Sequence, residues 1–137
     1  MRLFIPKTDS MKTLIIFSIA SIAILWACNS IVKDEVKEFI PGTYTRSTQH
    51  EFGTENDTVV ITLQNQSADE YKIVRRWKYE RILDGKPIEP EYKQTANSAI
   101  YNTESKLLQE SETLESYSFD PKQKAMFAGS TKYQKIK

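Results

Sequence analysis

Arg75, Trp77, Tyr79 and Arg81 stand two residues apart in one β-prone run that begins at Tyr71. A strand sends alternate side chains to opposite faces, so this spacing gathers two guanidiniums, an indole and two phenols on one side. A guanidinium offers a planar fork of donors that matches a carboxylate or a phosphate. Aromatic rings beside it hold an apolar body. The chemistry implied is binding of a small amphipathic anion, with Tyr92 on the following strand as a further wall. A buried arginine must be paired, so two other outcomes stand beside this one. One is an internal ion pair, for example with Glu115. The other is an arginine at a barrel rim that reaches water along its aliphatic stem.

Other candidates for chemistry are sparse. The chain has one His and one Cys. His50 has no thiol to activate, and one imidazole without a second ligand makes a poor zinc site. It is expected at an exposed strand end. No nucleophile elbow or phosphate loop is present. Glu110, Glu112 and Glu115 flank a turn and are expected to be solvated. The sequence implies no metal, no cofactor and no enzyme activity.

The single cysteine has a different setting. Lys12 precedes a twelve-residue apolar run, Leu14 to Leu25, which continues into Trp26-Ala27-Cys28. The run has the length of a signal-peptide core and is too short to span a bilayer comfortably. Leu25-Trp26-Ala27-Cys28 resembles the lipobox of bacterial lipoproteins, with Trp26 as its atypical position. The resemblance implies cleavage before Cys28 and attachment of lipid to its thiol. Several acyl chains on one residue anchor a protein stably, where one would be marginal. The expected organisation is a signal peptide over 1–27, a lipidated cysteine with a tether or short helix over 28–38, and a domain over 39–137. Met11 is an alternative start to Met1. Asn29 is not the Asp that resembles an inner-membrane retention signal, and Lys33-Asp34-Glu35 resembles the surface-export signals of some Gram-negative lipoproteins. The expected location is therefore the outer membrane, on its periplasmic or surface face.

Of 19 basic and 18 acidic residues, Arg2, Lys7, Lys12 and Asp9 precede residue 28, which leaves the remainder at a net charge of −1. Interspersed, nearly balanced charge gives no footprint for nucleic acid and no polybasic patch for anionic lipid. With one cysteine, no intrachain disulfide can form. The domain must rely on an apolar core, and all seven tyrosines lie within it.

Apolar residues at helical spacing predict a short helix over 31–40, ended by Pro41-Gly42. Beyond it, turn signals separate eight β-prone runs: 43–50, 58–64, 71–83, 92–101, 106–110, 114–119, 124–128 and 131–136. Residues 52–57 are predicted as a loop, and Asp84-Gly85 as a hairpin turn. Short connections favour an all-β, up-and-down barrel whose closure removes exposed edges. A sandwich or half-open barrel is the alternative.

Phe39-Ile40-Pro41-Gly42-Thr43-Tyr44 resembles the lipocalin start, a glycine followed two residues later by an aromatic, with Tyr44 where a Trp is usual. The layout of 39–137 is similar to small lipocalin-like domains of bacterial lipoproteins. That resemblance implies a barrel that binds small apolar or amphipathic ligands, here through Arg75, Trp77, Tyr79, Arg81 and Tyr92. Ala128-Gly129-Ser130-Thr131-Lys132-Tyr133 also resembles a loop of membrane-anchored lysozyme inhibitors. It implies instead an envelope protein-interaction role, as an inhibitor or complex subunit, through loops such as 52–57 and 84–90. The leading expectation is a membrane-anchored, non-enzymatic binding module.

Overall fold

Alternating side chains carry one face of each strand inward, and the sheet they form closes on itself. The computed structural model describes residues 32–137, so the expected signal peptide over 1–27 and Cys28 lie outside the described residues. The strands are β1 (Gly42–His50), β2 (Gly53–Asn65), β3 (Glu70–Leu83), β4 (Lys86–Pro87), β5 (Glu91–Asn102), β6 (Leu107–Glu110), β7 (Ser116–Asp120), β8 (Ala125–Ala128) and β9 (Thr131–Lys135). All neighbours are antiparallel. β1 pairs with both β2 and β9, and β2 with β3, so eight strands close an up-and-down, lipocalin-like barrel. The two-residue β4 is an addition. Asp84 and Gly85 both take positive φ and fold it back on the end of β3, the geometry of a tight hairpin.

Inward positions in the closed part of the barrel are filled by large side chains. Tyr44, Tyr71, Tyr117 and Tyr133 are at most 2% exposed, and Ile61, Ile73, Leu108 and Met126 pack among them. An eight-stranded barrel has an interior just wide enough for such filling.

Helix α1 (Glu35–Phe39) closes one end. It is shorter than the predicted 31–40 because Asp34 caps it, accepting the Lys37 amide at 3.2 Å. The hydroxyl of Tyr44 donates to the carbonyls of Phe39 and Ile40, each at 2.9 Å. The rings of Phe39, Tyr44 and Phe119 meet at centroid distances of 5.9–6.4 Å. Asp34 accepts further hydrogen bonds from Tyr101 and Lys106. The helix is thus part of one compact unit with the barrel, Asp34–Lys137.

The other end is open on one side. β9 pairs with β1 at Tyr44 and Thr45, and β6 pairs with β5 from Ala99 to Asn102. Above these points β1, β2, β3 and β5 continue as a four-stranded trough, with no strand facing them among the described residues. The predicted loop 52–57 is mostly strand, because Gly53 lets β2 run close against β3. A Cβ there would lie 2.2 Å from the Glu80 carbonyl oxygen, well inside contact distance.

Candidate functional site: the open trough

The β3 alternation holds as predicted, and Arg75, Trp77, Tyr79 and Arg81 share the inward face with the buried Tyr71 and Ile73. The strand outgrows the barrel, however. Tyr71 and Ile73 lie in the core, Arg75 at the barrel mouth, Trp77 and Tyr79 on the trough floor, and Arg81 at its tip.

Arg75 forms the internal ion pair that was the alternative expectation, with a different principal partner. Its Nε and Nη2 donate to Asp57 Oδ2 at 2.9 and 2.5 Å, and its Nη1 lies 3.9 Å from Glu115 Oε2. Asp57 is 1% exposed and also accepts the Tyr133 hydroxyl at 2.8 Å. The hydrogen bond to Asp57 outweighs desolvation and raises the Arg75 pKa. Residue 57 was missed as a site residue because it falls in the stretch predicted as loop. The signal available was the alternation Gly53, Glu55, Asp57, Val59, Ile61, which runs unbroken into the core face of β2.

Trp77 is held from two sides. Its indole N–H donates to Glu55 Oε1 at 2.9 Å, and its ring stacks on Tyr79 at 5.6 Å with 23° between planes. Beside it Arg75, Trp77, Lys93 and Thr95 line an open cleft of about 310 Å³. Lys93 and Thr95 lie directly across from Trp77 and Arg75 in the β3–β5 register. Arg81 is half exposed and pairs with Glu91 at 3.2 Å. Tyr92 does not join the group. Tyr79 pairs with Glu91, so Tyr92 pairs with Lys78 on the outer face, where it is 72% exposed.

Three further places complete the account. His50 is exposed at the end of β1; its Nδ1 accepts the Phe52 amide, and its ring lies 6.0 Å from that of Tyr79. Glu110 is not solvated as expected. It is 4% exposed and accepts hydrogen bonds from Tyr117, Asn97 and Thr113 at 2.8, 2.8 and 2.6 Å, because β5 and β7 close over the end of β6. Gly129 and Ser130 turn between β8 and β9, but Tyr133 points into the core at 2% exposure, so its hydroxyl serves Asp57 rather than a surface loop.

The arrangement can bind, orient and shield one face of a ligand through a rigid indole, a cation and a hydroxyl. Comparison of the chain with protein-family models, with curated proteins and with solved structures finds no match.

Proposed function

We propose that the chain is a membrane-anchored, non-enzymatic binding module of a bacterial envelope that takes its ligand on the trough rather than inside the barrel. The observation that carries this is the contrast between a core filled with tyrosines and an open cleft beside a fixed, partly exposed indole. Clefts of a few hundred Å³ with an apolar wall and a few convergent polar groups are the usual form of a small-ligand site. The chain enters the barrel through α1, at the closed end. A lipid on Cys28, as the lipobox implies, would anchor the module through the residues that lead into α1.

Native mass spectrometry of residues 29–137, produced without the lipidated cysteine in the envelope compartment, purified without detergent and compared with the denatured mass, tests the binding reading. A co-purifying molecule retained by the wild type and lost in Trp77→Ala supports it. A molecule that survives this substitution places binding elsewhere and overturns it. Metabolic labelling with a fatty-acid probe tests the anchor: label is expected in the full chain and absent in Cys28→Ser.

A second reading is favoured by one observation. Ser98 accepts the Ser111 amide across to β6. Strand alternation therefore points the backbone groups of Tyr92, Gln94 and Ala96 to the same side, beyond the reach of β6. An extended segment of an envelope protein could add there as a further strand. Crosslinking from Gln94 in intact envelopes tests it: a specific protein adduct is the expected result, and none would exclude that use of the edge.

A further inference from the structure

On the inner face of the trough three of the four cations among the described residues lie close to a carboxylate, whereas on the outer face Arg76 donates only to the neutral Gln94. Arg46 lies 3.8 Å from Glu55, Arg75 binds Asp57, Arg81 binds Glu91, and Lys78 on the outer face binds Glu80. Lys93 has no carboxylate partner among the described residues, yet it lines the cleft beside Trp77. An exposed lysine alone would be ordinary. This one stands across the sheet from an indole whose polar atom is already satisfied by Glu55 and whose ring is backed by Tyr79. Arg75 is fixed by Asp57 and approached by Glu115, so it shapes the floor without offering a free charge. Thr95 adds a hydroxyl opposite Arg75.

We infer that the cleft is a receptor for a small flat or amphipathic molecule bearing one compact anion, with Lys93 as the partner of the anion and Trp77 as the platform for the apolar body; this rests on the trough being the binding face. A volume of about 310 Å³ suits one or two fused rings, or a short acyl segment, and leaves the rest of a longer molecule in solvent. Carboxylate and phosphate share the chemistry that Lys93 recognises, since an ammonium is a compact point charge without the fork geometry of arginine.

The barrel unit from Asp34 to Lys137 carries its own core, so residues 28–137 serve for the test. They contain one tryptophan, and its indole N–H gives one resolved NMR signal at the site itself. The probes are 2-naphthoate, 2-naphthyl phosphate and neutral 2-naphthamide, each titrated while the Trp77 indole signal is followed. One or both anions are expected to bind at least tenfold more tightly than the amide, and the advantage is expected to shrink with added salt. Which anion binds more tightly distinguishes the two sources of charge. Lys93→Gln should remove the advantage without moving the core amide signals, and Lys93→Arg should keep most of it. Equal binding of anions and amide, or an advantage that survives Lys93→Gln, overturns the anion receptor while leaving the trough as a binding face. If no probe moves the Trp77 signal, both the receptor and the trough reading fail.

Discussion

At the helix end of the barrel every strand has two neighbours, whereas at the trough end β1, β2, β3 and β5 continue without the other four. The same strands therefore meet two environments. Near α1, inward side chains are tyrosines and aliphatics with hydroxyls tied to carbonyls or carboxylates. Above the mouth, inward side chains become Arg46, Glu55, Trp77, Tyr79 and Lys93. The difference teaches that a single strand, β3, seals a core at one end and leaves a mixed aromatic and charged face open to solvent at the other, where the proposed binding is placed.

Substitution at matched aromatic positions should break or confirm this division. Tyr44→Ala removes a fully buried ring and two hydrogen bonds to the helix. A loss of about 3–5 kcal/mol is expected. Trp77→Ala should cost no more than about 1 kcal/mol, as for a change outside the core. Urea unfolding followed by far-UV circular dichroism measures both, and equal losses would dissolve the distinction.

The boundary between the regions is the Asp57–Arg75–Tyr133 cluster. Asp57→Ala leaves the Arg75 guanidinium without its main acceptor, at an expected cost of about 1–3 kcal/mol, moderated because the arginine side chain is 34% exposed. Replacing both partners, Asp57→Leu with Arg75→Met, should recover much of that loss, since paired removal leaves no orphaned charge. A double variant less stable than Asp57→Ala would mean that the pair contributes beyond mutual neutralisation.

Alkaline pH should act on the closed region first. Burial, aided by carboxylate partners at Tyr101, Tyr117 and Tyr133, raises the pKa of these phenols together with Tyr44 and Tyr71; Tyr133 is pushed up to about 12. Unfolded phenols ionise near 10. The folded state therefore keeps this stabilisation below about pH 10 and loses it as pH rises through about 12. Tyrosinate absorbance should show five of the seven tyrosines ionising together with loss of circular dichroism. Ionisation of all seven on an intact fold would contradict the sealed interior.

The smallest effect concerns the helix cap. Burial opposes the charge of Asp34, but hydrogen bonds from Lys106, the Lys37 amide and Tyr101 outweigh it and lower the pKa. The contribution is present above about pH 4 and is lost as pH falls through the lowered folded value. Asp34→Ala should cost about 1 kcal/mol at neutral pH, with the gap from wild type narrowing in acid.

Period-two alternation made the barrel legible, because one face of each strand in the closed region is buried. It exposed the inward row of β3 from Tyr71 to Arg81, and the Asp-Gly pair marked the turn at Asp84-Gly85. It failed where both faces meet water. Along β5 from Glu91 to Ala96 every residue is exposed, so polarity carries no sign of which side faces the trough, and Tyr92 was assigned inward when Lys93 and Thr95 occupy that face. Asp57 and Glu110 were obscured for the opposite reason. Carboxylates next to turn-forming residues read as solvated, and only the three-dimensional register supplies the Arg75, Tyr117 and Asn97 that satisfy them.

The seam between β1 and β9 has a consequence for the order of events during folding. Every other strand contact in the ring joins elements that follow one another closely in the chain, and the β2–β3 hairpin has the longest register of all. The seam instead joins Tyr44 and Thr45 to Lys135 and Gln134, near the two limits of the barrel. Its loop-closure entropy is the largest in the molecule, so ring closure should come late, after the hairpins have formed. Tyr133→Phe, which removes the β9 hydroxyl bonded to Asp57, is then expected to speed unfolding and to leave the folding rate nearly unchanged in stopped-flow measurements. Slowed folding instead would place the seam in the nucleus. On this view the trough strands are the early, self-sufficient part of the chain, and the ring is completed around them.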